Sequence, residues 1–95
     1  MNETTKALYE EALNAFTEAR NELAEATGAY DRERHLARKA LYDLKESGTR
    51  KMTEEQIRSE SVVKCQVVYE RYTRALCEYD IARERLEYIK AIANN

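Results

Sequence analysis

Proline and tryptophan are absent from this chain, and glycine occurs only at Gly28 and Gly48. Without proline, every residue keeps its backbone N–H, so nothing in the chain forbids long helices. There is no glycine-rich phosphate-binding loop. No apolar run exceeds three residues, which excludes a transmembrane span and the apolar stretch of a signal peptide. We therefore expect a cytoplasmic protein that makes no use of a membrane.

Residues suited to catalysis or metal binding are also scarce. Carboxylate-bridged metal bundles need a Glu-x-x-His pair, but the only histidine, His35, has Arg32 at that spacing. Cys65 and Cys77 belong to no CxxC motif, and on one helix they would point about 120° apart. We expect reduced thiols that serve as small apolar residues, with Cys65 inside and Cys77 outside. The sequence predicts no enzyme, no cofactor and no metal site.

Helix-forming residues dominate both halves, and the segment ESGTRKMTEEQ is the one strong interruption. Gly48 can adopt the left-handed conformation that ends a helix. Thr53 followed by Gln56 predicts a capping box that starts the next helix. We therefore predict an all-α protein with a single domain. The predicted bounds are 1–95 for the domain, about 4–46 for the first helix, 47–52 for the turn and about 53–93 for the second helix.

Apolar residues repeat every seven positions in both predicted helices. In the first helix, one row is mostly large and a second row, three residues later, is mostly alanine. Small residues let helix backbones approach closely, so we predict a long antiparallel two-helix coiled-coil hairpin. The rows are Tyr9, Phe16, Leu23, Tyr30, Ala37 and Leu44 with Ala12, Ala19, Ala26, Glu33 and Ala40 in the first helix, and Cys65, Tyr72, Tyr79, Leu86 and Ala93 with Val68, Ala75, Ala82 and Ile89 in the second.

Two residues disturb the first pattern. Gly28 offers an alternative break that would give three helices, but the repeat keeps its phase across it, so we predict one continuous helix. Glu33 is the only acid in the rows. It is either a buried functional acid, a polar residue that fixes the register, or a carboxylate that reaches out to Lys64 or an arginine.

The second predicted helix carries an apolar stripe on its outer face, where the first helix is charged. Contiguous exposed apolar patches usually mark interfaces, and a two-helix hairpin has a thin core for its length. We therefore predict a homodimer, held largely by the second helix and forming a four-helix bundle with twofold symmetry. The predicted dimer interface consists of Val63, Val67, Arg74, Ile81, Tyr88 and Ile92.

Charge is unevenly distributed along the chain. Residues 1–28 carry six acids and two bases (net −4), and residues 29–51 carry four acids and seven bases (net +3). The basic residues near the turn could contact phosphates, or they could form a solvated face laced with ion pairs. The acidic segment could occupy a basic groove on a partner protein. The candidate nucleic-acid contacts are Arg32, Arg38, Lys39, Lys45, Arg50, Lys51 and Arg58, and the candidate acidic surface is Glu11, Glu18, Glu22 and Glu25.

The layout of the chain resembles a group of small helical-hairpin proteins encoded by tailed phages and prophages. The resemblance rests on the acidic first helix, the turn SGTRKMTEEQIR and the second helix CQVVYERYTRALCEYDIARERLEYIKAI. It implies a bacterial cytoplasm and an accessory or inhibitory role. It transfers no catalytic or binding residue to this sequence.

Three functions are compatible with these features. The first is a non-enzymatic protein–protein interaction module that self-associates and binds another protein. The second is an accessory factor for nucleic-acid recombination or single-strand binding that uses the basic turn end. The third is an inhibitor of a host defence or nucleic-acid enzyme that uses the acidic first helix. We favour the interaction module.

Overall fold

The computed structural model describes residues 2–94, which are all-helical, with three α-helices and no strand in that range. The helices are α1 (Glu3–Glu46), α2 (Glu54–Lys64) and α3 (Gln66–Ala93). The chain packs as two compact units. Unit 1 comprises the residues up to Glu25 and those from Thr73 onward, and unit 2 is Ala26–Tyr72. The single domain expected from the sequence stays a prediction.

Helix α1 begins slightly earlier than the sequence suggested. The Asn2 side-chain oxygen Oδ1 accepts a hydrogen bond from the Thr5 N–H at 2.7 Å, so Asn2 caps a helix that starts at Glu3. Asparagine is a strong N-cap because its short side chain reaches the free amides of the first turn. The helix passes through Gly28 without interruption, as predicted. It ends where Gly48 adopts φ +76° and donates its N–H to the Lys45 carbonyl at 3.1 Å.

The predicted capping box at the start of α2 is confirmed. The Gln56 N–H donates to the Thr53 hydroxyl at 3.1 Å, and the Thr53 N–H donates to the Gln56 side-chain oxygen at 2.9 Å. Each bond satisfies a backbone donor that has no partner within the helix. Glu54 and Glu55 occupy the first turn, where the helix dipole favours negative charge.

The prediction of one continuous helix over 53–93 is wrong, because the backbone leaves the α-helical conformation at Cys65. The Cys65 N–H bonds to the Val62 carbonyl at 3.0 Å, one residue closer than an α-helix requires, and its φ and ψ are −104° and 24°. Just before this point, the buried Ser61 hydroxyl donates to the Arg58 carbonyl at 2.8 Å. The tight bond and the dihedral angles of Cys65 end α2, and α3 begins at Gln66.

Unit 1 contains antiparallel segments of α1 and α3. Phe16 lies against Tyr79, with ring centroids 5.4 Å apart, and Glu11 lies 3.4 Å from Arg85, so rising numbers on α1 meet falling numbers on α3. The core consists of Ala12, Leu86 and Ile89, with Tyr9 and Phe16 packed against it. All of these residues except Glu11 and Arg85 belong to the predicted rows.

Unit 2 is built around a different core, close to the turn. Its buried residues are Leu41, Met52 and Ile57, with Tyr42 and Leu44 packed against them. The buried Tyr30 contacts Tyr69 edge-on and also Tyr72, at centroid distances of 5.5 Å and 5.4 Å. The Arg34 guanidinium lies 5.1 Å from the centre of the Tyr30 ring.

In the second part of α1, the predicted row of small residues fails at Glu33 and Ala40, whereas Tyr30, Ala37 and Leu44 of the other row are buried or half-buried. Glu33 and Ala40 are exposed, whereas Arg34 is half-buried and Leu41 is completely buried. The inward-facing positions are therefore 26, 30 and 34. The regular repeat alternates steps of three and four residues, and here two steps of four follow each other. Burial of leucine in place of alanine gains about 1.5–3 kcal/mol, and the shift leaves the Glu33 carboxylate in water. Glu33 is therefore not a buried acid.

The rows predicted for the second helix hold throughout α3. Ala75, Ala82, Leu86 and Ile89 are buried, as is Cys65 just before the helix. Val68, Tyr72, Tyr79 and Ala93 are half-buried. In α2 the buried positions are 57 and 61, which lead to 65 in steps of four. Unit 2 therefore contains both departures from the seven-residue repeat.

Candidate interaction surfaces

An apolar stripe lies on the exposed face of α3 in unit 1. Ile81, Tyr88 and Ile92 are 61%, 68% and 49% exposed, and Arg74 is also exposed. These side chains share one face because helical residues seven apart, or four apart, lie above one another. The predicted interface residues of this unit therefore form a water-exposed surface in the single chain.

The remaining predicted interface residues belong to unit 2. Val63 lies near the end of α2 and Val67 near the start of α3, and both are strongly exposed. Cys65, whose backbone is not α-helical, lies between them in the chain. They are two exposed valines on either side of the break.

An open groove of about 410 Å³ lies beside the stripe in unit 1. Alanines supply its small residues, and Ile81 contributes to it, so the groove and the stripe are continuous. Its charged residues are mostly acidic. The complete lining is Ala15, Glu18, Ala19, Glu22, Glu78, Ile81, Ala82 and Arg85.

Acidic partners neutralise part of the predicted basic surface in unit 2. Arg50 forms a two-pronged ion pair with Glu60, one prong measuring 2.8 Å, and the Lys45 ammonium lies 3.7 Å from Glu54. Arg38 is half-buried, and its Nε is buried without a hydrogen-bond partner. Lys45 and Arg50 stay exposed in these ion pairs, and the exposed predicted contacts outside the pairs are Arg32, Lys39, Lys51 and Arg58.

Glu54 is the centre of a small polar cluster near the turn. The Tyr42 hydroxyl donates a hydrogen bond to its carboxylate. This bond lowers the pKa of Glu54, burial opposes that shift, and the charge of Lys45 lowers the pKa further. The same bond raises the pKa of Tyr42. The pair therefore holds an ionised carboxylate and a neutral phenol at neutral pH, which suits a structural contact.

The predicted acidic residues of α1 have different surroundings. Glu11 pairs with Arg85 at 3.4 Å, and Glu25 lies at the end of the α1 segment in unit 1. Glu18 and Glu22 instead line the groove, where Glu78 of α3 joins them. Sequence reasoning missed Glu78, because only packing of α3 against α1 brings it beside the acids of the first helix.

The two thiols differ as expected. Cys65 is buried and Cys77 is exposed. Burial raises the pKa of the Cys65 thiol, and the nearby charge of Glu33 raises it further. A buried thiol with a raised pKa is a poor nucleophile, since the thiolate is the reactive form.

Sequence reasoning also missed Leu36 and Ser61. Leu36 is 64% exposed on α1, although leucines on amphipathic helices usually point inward. Ser61 is completely buried, and its hydroxyl marks the break after α2. The available signal for Ser61 was its spacing of four from both Ile57 and Cys65.

No protein-family model, curated protein or solved structure matches this chain. Among residues 2–94, no helix combines the length and apolar character needed to cross a membrane. In the same range, no three His, Cys, Asp or Glu side chains come together as a metal ion would require.

Proposed function

We propose that this protein is a non-enzymatic protein–protein interaction module that self-associates through the exposed face of α3. The observation that carries the proposal is the exposure of Ile81, Tyr88 and Ile92 on one helix face. Exposed large apolar residues that line up in this way are typical of surfaces that another protein covers. Self-association of an antiparallel coiled-coil hairpin into a dimeric four-helix bundle would bury them.

The composition of the stripe supports this proposal. Tyrosine and isoleucine contribute large contact areas, and tyrosine keeps its hydroxyl at the wet edge of an interface. Arg74 lies one heptad before Ile81 on the same face, and arginine is enriched in protein interfaces. Val63 and Val67 of unit 2, which the sequence also assigned to the interface, are a separate pair of exposed apolar residues.

The proposal is tested by the double substitution Ile81→Glu and Tyr88→Glu, with the molar mass measured by sedimentation. The wild type should be a dimer at micromolar concentration. The variant should be a folded monomer, because two buried carboxylates would be strongly unfavourable in the interface. The matched control is Glu87→Gln with Lys90→Gln, which changes two exposed residues of α3 outside the stripe. A wild-type monomer contradicts the proposal.

The nucleic-acid alternative has less support than the interaction module. In its predicted contact surface, the positive charges of Lys45 and Arg50 are already paired with Glu54 and Glu60. The setting we propose, a phage-encoded accessory protein in a bacterial cytoplasm, is supported by the resemblance of the turn and second-helix sequences. The alternative of an inhibitor has the same resemblance in its support, together with the acidic residues of the groove.

A further inference from the structure

The groove in unit 1 has the dimensions of a helix-docking site. Its lining spans residues 15–22 of α1 and 78–85 of α3. Seven helical steps correspond to about 10 Å, or two turns. Ala15, Ala19 and Ala82 leave room for the side chains of an incoming helix, and Ile81 offers an apolar contact beside them.

The charge of the groove limits what can fill it. Glu18, Glu22 and Glu78 contribute three carboxylates, against the single guanidinium of Arg85. Arg85 also lies 3.4 Å from Glu11, outside the groove. If a second copy docked the same face around Ile81, six carboxylates would meet across the contact, and like charges repel. A favourable occupant is therefore basic and carries an apolar side chain.

One surface of unit 2 has this chemistry. Leu36 is 64% exposed on α1, with Arg32 one turn before it and Lys39 one turn after it, both exposed. The helical geometry places both cations on the same flank of Leu36. Glu33 lies on the other flank, near enough to Cys65 to act on its thiol. We call Arg32, Leu36 and Lys39 the basic patch.

We infer that the groove of one chain receives the basic patch of a second copy of this chain. Leu36 of the second copy lies on the alanines beside Ile81, and Arg32 and Lys39 face the carboxylates of Glu18 and Glu78. The patch spans seven helical steps, as do both sides of the groove, so their lengths agree. The inference rests on the proposed self-association, and it replaces the contact of α3 with α3 expected from the sequence.

Exchange of charges provides the test. One variant carries Glu18→Lys and Glu78→Lys, and the other carries Arg32→Glu and Lys39→Glu. Alone, each variant opposes like charges, so its self-association should weaken about tenfold or more, which is about 1.4 kcal/mol. In an equal mixture, the reversed groove meets the reversed patch and the native groove meets the native patch. The mixture should therefore associate about as strongly as the wild type, measured by sedimentation at 0.05 M and 0.15 M salt.

The control for the charge exchange is Glu10→Lys with Glu87→Lys, two exposed acids outside the groove, which should leave association unchanged. A second measurement compares Leu36→Ala, expected to weaken association, with Leu8→Ala, another exposed leucine of α1 outside the patch, expected to have no effect.

The outcomes separate this inference from the proposal on which it rests. Self-association that persists unchanged in both charge variants overturns the docking of the patch and leaves the interaction module standing. Weakening in both variants without recovery in the mixture shows that groove and patch do not meet, which also overturns it. A wild-type monomer overturns both proposals.

Discussion

The two units of this molecule satisfy their polar and apolar groups in different ways. Unit 2 contains all three of the largest completely buried side chains, Leu41, Ile57 and Ser61. It also contains the capping box and the ion pairs of Glu54 and Glu60. Unit 1 keeps the regular repeat but leaves Ile81, Tyr88 and Ile92 in water. Unit 2 therefore has the more deeply buried core, although its Leu36, Val63 and Val67 are also exposed, whereas unit 1 carries the apolar stripe that we propose for binding.

This difference separates the residues that stabilise the fold from those that we propose for binding. Deeply buried groups dominate the free energy of unfolding, because their removal leaves cavities. Exposed apolar groups contribute little to a single chain but can contribute strongly to an interface. Substitutions in the two units should accordingly change different measurements.

The largest effect is expected for Leu41→Ala in unit 2. Leu41 is completely buried in the core near the turn, so its truncation should lower the free energy of unfolding by about 2–5 kcal/mol. The matched control is Leu36→Ala on the same helix, expected to change it by less than about 0.5 kcal/mol. Urea unfolding followed by circular dichroism, at concentrations too low for association, gives both values. Equal effects would contradict the shifted pattern of α1.

Much of the fold follows from local sequence signals. Gly48 and the pair Thr53 and Gln56 predicted the turn, because a left-handed glycine and a capping box act through neighbouring backbone groups. The seven-residue rows predicted burial in unit 1 and α3, where alanines and large residues alternate regularly.

The sequence was less informative where the seven-residue repeat and the burial of a particular large side chain favour different positions. The repeat pointed Ala40 inward, but burial of the neighbouring Leu41 is more favourable. The break at Cys65 does not follow from the rows, because Cys65 stays buried at its predicted position while its backbone leaves the helical conformation. The sequence did not predict the groove, because Glu18 and Glu78 are 60 residues apart in the chain and line it together only when α3 packs against α1.

A medium effect should distinguish the regular packing of unit 1 from the shifted packing of unit 2. Ala12 and Ala40 belong to the same predicted row, but Ala12 is completely buried and Ala40 is exposed. Ala12→Leu should overpack the core of unit 1 and lower the free energy of unfolding by about 1–3 kcal/mol. Ala40→Leu should change it by less than about 0.5 kcal/mol. Thermal unfolding checks both, and a larger loss for Ala40→Leu would restore the unshifted row.

The smallest effect concerns the contact between Tyr42 and Glu54 in unit 2. Because the folded chain lowers the pKa of Glu54 below 4.5, its contribution to stability is present above 4.5 and is lost as the pH falls through the folded pKa. Glu54→Gln should therefore lower the melting temperature slightly at pH 7, and this difference should disappear in acid. The control Glu55→Gln removes a neighbouring charge from the same helical turn but keeps the contact with Tyr42. Tyr42→Phe removes the donor and should make the stability less dependent on pH in the same acidic range. Identical pH profiles for Glu54→Gln and Glu55→Gln would show that only the helix dipole acts on these acids, and that the polar contact near the turn does not distinguish unit 2 from unit 1.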